Sequence, residues 1–360
     1  MSRIGERFTV TVFGESHGTH IGCVIEGCPA GITLDMPAIL AEMKRRTPIK
    51  SDWSTQRNET DTPEIISGLL DGVTTGVPLT MVIENQDQRS KDYGNIADTP
   101  RPGHADYTAF VKYGGHNDYR GGGHFSGRLT APLVFAGAVA KQVLAPMGIE
   151  IYAHIKQIMD VEDKPIDGEA VDKKAIAKKA FPVIDDYMGM RMIDIIQGAR
   201  ADKNSVGGVV ECGIFGLKPG LGGPLFEGLD GALAKAVFGI PAVKGVAFGE
   251  GFDIIKRFGD LSNDALTVLD GEIKTRTNHM GGVLGGISNG MPVVVKAAFK
   301  ATPSISKPQD TVDLTTKEKA TLQVKGRHDP CLLPRAVPVV EAVCAITILD
   351  EIFKNGKGQP

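Results

Sequence analysis

Two stretches of this chain, Leu129 to Leu144 and about Ala336 to Phe353, are apolar without a clear polar face. A surface helix keeps a polar stripe, so two helices lacking one need burial on several sides. Strand-like segments lie in both halves: Phe8 to Phe13, Gly22 to Glu26, Ile65 to Leu70 and Leu79 to Ile83, then Val209 to Phe215, Val243 to Phe248 and Pro292 to Phe299. They do not alternate regularly with helices, and no strand runs into a dinucleotide-binding glycine fingerprint. The expected class is therefore α+β rather than a doubly wound sheet.

Asp35 reads as the N-cap of a helix in which Ile39, Leu40 and Met43 share a face, with Pro37 tolerated in the first turn. That helix delivers Lys44, Arg45 and Arg46 to its far end. A second amphipathic helix is expected over Leu225 to Phe238. Residues 160 to 182 are acidic and then lysine-rich, as a solvated helical excursion would be. No linker divides the chain, so residues 1–360 read as one domain.

Charge and cysteine content narrow the function. The formal net charge is −3, with 42% hydrophobic and 23% charged residues. Nonspecific nucleic-acid binding needs an extended basic surface, so an anionic partner must be small and locally held. The five cysteines lack the short paired spacings of a zinc site and are few for a secreted disulfide scaffold. The N-terminus has no apolar signal core, and the apolar run near Ala131 to Ala140 is too short to span a bilayer. A cytoplasmic protein, with neither membrane nor nucleic acid as partner and no bound metal, is the expectation.

Chemistry concentrates in a few glycine-rich segments. Asp118 to Arg128 carries Gly121, Gly122 and Gly123 between Arg120 and Arg128, with His124 and Ser126 alongside. Glycine is used where backbone takes φ > 0 or approaches another group closely, so peptide N–H groups here could face an anion. A solvated turn has the same composition. His17, His104 and His328 each sit beside Gly, Arg or Asp, where an imidazole can reach a ligand and titrate near neutrality. Each alone would serve equally as a structural hydrogen-bonder. Arg46, Arg57, Arg101, Arg120, Arg128, Arg327 and Arg335 supply separated guanidinium groups suited to carboxylate and phosphate. Lys300 to Ser306 puts a cation and three hydroxyls at a strand end, and Gly281 to Gly286 lies just upstream.

These segments, in this order, resemble the chorismate synthases. Gly14 to Gly18, Asp87 to Tyr93, Arg101 to Tyr107, Asp118 to Arg128, Gly281 to Ser288 and Lys325 to Pro330 all look like signatures of that family and extend over nearly the whole chain. The resemblance implies a β-α-β sandwich of antiparallel sheets with helices packed between them, assembled as a homotetramer. It implies an anti 1,4-elimination of phosphate from 5-enolpyruvylshikimate 3-phosphate to give chorismate, with reduced FMN required and no net redox change. This is the last common step of the shikimate pathway to the aromatic amino acids.

Matched residue by residue, the resemblance makes His17 the histidine that protonates departing phosphate and His104 the one that protonates reduced flavin. Asp329 matches the carboxylate that assists deprotonation of the flavin, and Ser16 and Ser126 match supporting donors. Arg46, Arg57, Arg101, Arg128, Arg327 and Arg335 are implied as holders of anionic groups. FMN is expected around His124, Phe125, Ser126, Gly285, Lys300, Ala301, Thr302, Pro303, Ser304 and Arg327, with Pro241 and Ala242 nearby. Arg46 also falls where the family meets NADPH, the candidate reductant. Two departures stand out: many members have Arg-Ser-Ser where this chain has His124, Phe125 and Ser126, and an arginine where it has Asp52. The rivals are an NADPH-dependent flavin reductase and a non-enzymatic anion- or nucleotide-binding protein.

Overall fold

The computed structural model describes residues 2–49, 51–54, 60–86, 96–168, 171–269, 271–324 and 328–356. Its helices are α1 (Met36–Arg46), α2 (Asp106–Lys112), α3 (Thr130–Leu144), α4 (Lys173–Ile176), α5 (Asp186–Ala201), α6 (Leu229–Phe238), α7 (Gly259–Ser262) and α8 (Leu333–Lys354). One sheet has the strand order Arg3–Ile4, Thr9–Gly14, His20–Glu26, Leu79–Glu84, Glu64–Ser67, every neighbouring pair antiparallel. The other runs Val243–Phe248, Val293–Phe299, Gly208–Phe215, Glu150–Ile158, Val161–Glu162, again antiparallel throughout.

Helices α3 and α8 pack on each other between these sheets. α3 lies against the strands Thr9–Gly14 and His20–Glu26, and α8 against Glu150–Ile158 and Gly208–Phe215. The fold is the α+β sandwich expected from the resemblance, with the two apolar helices at its centre. Gly137 permits their approach, since a Cβ there would stand 2.2 Å from that of Ala342. Among the described residues, the helical stretch Gly127–Met147 is long and apolar enough to cross a bilayer, but it is 72% buried as this central layer. All five cysteines are buried free thiols.

Local signals set several boundaries. Asp35 Oδ1 accepts from the Ala38 amide at 3.0 Å and caps α1. Ile39 and Met43 are buried, but Leu40 is 45% exposed and lies off the packed stripe. The helix expected over Leu225 to Phe238 begins only at Leu229, because Gly228 is extended and Leu225–Glu227 forms a separate 3-10 turn. Among its described residues, segment 160–182 holds one short helix, α4, and sends Ile166, Ile176 and Phe181 into buried positions while many of its other side chains stay exposed. Asp163 anchors it by accepting from the amides of Lys164 at 2.8 Å, Ile184 at 2.6 Å and Asp185 at 3.0 Å. It also faces the wholly buried His154 at 3.1 Å.

A buried charge network crosses the helical layer. Glu341 of α8 accepts from Arg45 Nη1 at 2.7 Å, Arg45 Nη2 at 2.8 Å, Lys141 at 2.5 Å and the Ala153 amide at 2.8 Å. Burial alone would raise its carboxyl, but Arg45 and Lys141 hold it down to about 2, against an ordinary 4.5. A carboxyl depressed in this way stabilises the fold fully above its unfolded value, and that contribution is lost as pH falls through about 2. Glu341→Gln leaves two cations facing Glu42 alone. The expected cost in urea denaturation near neutral pH is about 3 kcal/mol, low in the range for a broken buried pair because Glu42 remains.

Candidate active site

The glycine triplet adopts backbone that only glycine takes easily: φ is 59° at Gly121, 87° at Gly122 and 53° at Gly123. A side chain would also collide. A Cβ on Gly121 would lie 2.6 Å from His17 Nε2 and 2.8 Å from Ser16 Oγ, and one on Gly122 would lie 2.9 Å from His104 Cε1 and 3.1 Å from its Nε2. Two histidines 87 positions apart in sequence thus rest on consecutive peptide units. Gly123 O accepts from the amides of Ser16 at 3.1 Å and Ser126 at 3.4 Å, tying the His17 loop to the approach into α3. The Gly122 N–H donates to Tyr119 O at 3.2 Å, so this donor is used inside the turn rather than offered to an anion. Arg120 is likewise engaged, by Asp118 at 2.8 Å through both Nε and Nη2.

His17 belongs to the loop between the strands Thr9–Gly14 and His20–Glu26. Asn85 fastens that loop: its Nδ2 donates to Glu15 O at 3.1 Å and Gly18 O at 2.9 Å, and its Oδ1 accepts from Arg128 Nε at 3.0 Å. His104 precedes α2, and its Nδ1 stands 2.5 Å from Asp106 Oδ1. Arg101 grips the same carboxylate, with Nε to Oδ2 and Nη2 to Oδ1 both at 2.8 Å, and extends Nη1 to Ser304 Oγ at 3.0 Å. Burial raises the Asp106 carboxyl, but hydrogen bonds from Arg101 and His104 outweigh it and hold Asp106 far below the usual carboxylate range. Burial first, then the Arg101 and Lys300 charges, bring the His104 imidazole below its ordinary value despite Asp106.

A second cluster joins three helix ends. Buried Asp61 accepts from Arg46 Nη1 at 3.1 Å and pairs closely with Arg128 Nη1. Arg46 also donates to Thr130 Oγ1 at 3.2 Å and Gly127 O at 2.9 Å. Arg335 donates to Arg46 O at 3.1 Å and to Asp329 Oδ2 at 2.7 Å. Arg46, Arg101, Arg128 and Arg335 are therefore each matched by a carboxylate. Arg57 and Arg327 lie outside the described residues, as do the whole Asp87 to Tyr93 signature and 325–327 of the Lys325 to Pro330 signature.

Of the expected flavin contacts, Ser126 Oγ accepts from the Arg128 amide at 3.3 Å and caps the turn leading into α3. The His124 ring is held between Gly14 O at 2.7 Å and Ser2 Oγ at 2.5 Å. Phe125 is partly exposed beside Tyr113, ring centroids 6.4 Å apart. Lys300 to Ser304 reach the histidine cluster through Arg101 and Ser304, and Ala242, next to Pro241, accepts from the Lys300 amide at 3.0 Å. Thr302 Oγ1 is buried with no hydrogen-bond partner among the described residues. Gly285 sits in the hairpin of Val283–Leu284 and Ile287–Ser288, with no described contact to either histidine.

Three residues escaped sequence reasoning. Asp106 stood inside the Arg101 to Tyr107 signature without an assigned role, whereas Asp61 and Asn85 carry no local signal because their partners are remote in sequence.

The glycine geometry is testable by stability. Gly121→Ala combines a left-handed φ with collision against His17 and Ser16, and should cost about 1–3 kcal/mol in urea denaturation. Gly127→Ala, where a Cβ meets nothing within 4 Å, should change stability by no more than about 1 kcal/mol. Equal losses in both would contradict the packing described.

The chorismate synthase family model matches residues 8–353. The chorismate synthase of Thermococcus kodakarensis is 46% identical over 352 residues, covering 98% of this chain and 97% of its own length. That of Korarchaeum cryptofilum is 44% identical over 356 residues, covering 98% of each. A solved structure described as a crystal structure of chorismate synthase aligns with a TM-score of 0.76 at 28% identity, covering 98% of this chain and 93% of its own. Matched along almost its entire length, the chain belongs to the chorismate synthase family.

Proposed function

We propose that this protein converts 5-enolpyruvylshikimate 3-phosphate to chorismate by anti 1,4-elimination of phosphate and a ring hydrogen, with reduced FMN as cofactor. The observation carrying this reading is the placement of His17 and His104 against consecutive glycines, within a setting of arginines. A substrate with a phosphate and two carboxylates needs several cations, and a near-neutral protein can supply them only locally.

The residues fit the cofactor at one end of this cluster. Lys300 is half-buried and lowered by that burial and by Lys244 and Arg101, and the buried Thr302 hydroxyl lies two residues on. Lys300, Ala301, Thr302, Pro303 and Ser304 would hold FMN, with Pro241, Ala242, Gly285, His124, Phe125, Ser126 and Arg327 contributing. Reduced flavin, when bound, lends an electron transiently so that phosphate leaves more readily, and recovers it within the turnover. His17, with Ser16 and Ser126 in support, gives its proton to the departing phosphate. Where reduced FMN is bound, His104 would protonate it and Asp329 would assist its deprotonation. Arg46, Arg57, Arg101, Arg128, Arg327 and Arg335 would form the anion-holding set, and Arg46 also matches the position at which the family meets NADPH. Leu225, Phe226, Phe252, Ile255 and Phe258 are each more than 80% exposed, which supports self-association, in this family as a homotetramer.

Anaerobic mixing of protein, reduced FMN and 5-enolpyruvylshikimate 3-phosphate tests the reaction. Chorismate and inorganic phosphate should appear together; absence of both would sink the reading, and rapid NADPH oxidation without substrate would favour a flavin reductase. His17→Ala and His104→Ala should each lower turnover by roughly 10²-fold or more, the scale of lost general acid catalysis, while FMN affinity in a fluorescence titration stays largely intact.

A further inference from the structure

Asp106 is placed to decide which nitrogen of His104 does chemistry. Its carboxylate is nearly buried and held ionised, so it only accepts hydrogen bonds. His104 Nδ1, 2.5 Å from Oδ1, must therefore carry a proton and donate it. Arg101 Nη2 donates to Asp106 Oδ1 at 2.8 Å; it stands 3.1 Å from Nδ1, which when protonated has no lone pair to offer, and 3.4 Å from Nε2, whose lone pair can take its second hydrogen as a longer contact. The remaining ring nitrogen, Nε2, faces the space left by the missing side chain of Gly122.

We infer that Asp106 is a positioning residue which fixes the neutral His104 in its Nδ1–H tautomer, leaving Nε2 as the atom that gains and loses a proton at the glycine turn. The inference rests on the proposed reaction for its catalytic consequence, though not for its structural content. In the proposed reaction Nε2–H of the imidazolium would give its proton to reduced flavin where that cofactor is bound, while Nδ1–H stays hydrogen-bonded to Asp106, so the neutral ring could regain a proton from solvent at the same Nε2 atom. The charged groups around the ring are Asp106 and Arg101 from its own loop and Lys300 from the opposite strand end. Asp118 lines the same small cleft from the side of the glycine segment.

Asp106→Asn tests this. Asp106 Oδ2 takes the Arg101 backbone amide at 3.0 Å and Nε at 2.8 Å, whereas Oδ1 takes Arg101 Nη2 at 2.8 Å and His104 Nδ1 at 2.5 Å. Of these four donors only the imidazole can turn acceptor, so the single Asn oxygen should settle at the Oδ2 position. The Asn amide group would then face Nδ1 and force that nitrogen to accept, turning the ring to the Nε2–H tautomer. In the full-length protein with 15N-labelled histidine, the wild-type His104 resonances should report Nδ1–H and those of Asp106→Asn should report Nε2–H, without flavin or substrate. Turnover should fall about 10²–10⁴-fold and the alkaline limb of the pH profile, where the required imidazolium is lost, should move to lower pH because Asp106 no longer favours the charged ring, with KM little changed and Asp106→Glu partly restoring both.

An Nε2–H tautomer in the wild type would overturn the inference without any variant having to fold. So would an Asp106→Asn protein with unchanged tautomer and unchanged pH profile. If the wild type shows the Nδ1–H tautomer but releases no phosphate from 5-enolpyruvylshikimate 3-phosphate, the proposed reaction fails and the tautomer assignment stands.

Discussion

The close crossing of α3 and α8 at Gly137 and Ala342 is the contact on which the molecule is organised. A Cβ on Gly137 would meet the backbone of Ala342 as well as its side chain, so the helices approach until main chain touches side chain. Packing at this density tolerates little extra volume, and the separation of the covering sheets follows from it. Glu341, next in sequence to that crossing, binds α1 through Arg45, α3 through Lys141 and the strand Glu150–Ile158 through the Ala153 amide. One carboxylate thus fixes the relative positions of three helices and a sheet.

The site inherits its geometry from the same layer. α3 begins at Thr130, α8 at Leu333, and α1 ends at Arg46. Arg46 bonds Thr130, and Arg335 bonds the carbonyl of Arg46, so these three termini are joined to one another. The glycine triplet and Ser126 are the lead-in to α3, and Asn85 couples Arg128 to the His17 loop. Displacing α3 along its axis would move both histidines' support at once. The catalytic proposal is therefore coupled to core packing far from the imidazoles.

How much of this the sequence disclosed depends on range. The Asp35 cap was legible because donor and acceptor lie three residues apart, and the central helices because their composition permits no solvent-facing side. Leu40 was misplaced because it follows Ile39 by one helical step and falls outside the narrow stripe that α1 buries. Segment 160–182 has the composition of a solvated helix, but a few apolar side chains and the amide-binding Asp163 decide its packing. In the site, motifs named the histidines and arginines, whereas Asp61 pairs with residues 15 and 67 positions away, a relation only the fold creates.

Pairing also redirects attention within the cation set. Arg46 and Arg128 share Asp61, Arg101 has Asp106, Arg120 has Asp118 and Arg335 has Asp329. A guanidinium already matched by a buried carboxylate contributes direction and hydrogen bonds to an incoming anion more than net attraction. Lys300 differs: no carboxylate pairs with it among the described residues, and burial, Lys244 and Arg101 all act against its charged form. An anion placed there would relieve like-charge repulsion and could also engage the Thr302 hydroxyl, which has no partner among the described residues. By the same electrostatics, neutralising Lys300 and Arg101 removes two influences that oppose the imidazolium of His104. An anion held at Lys300 and Arg101 would thereby favour the charged form of His104.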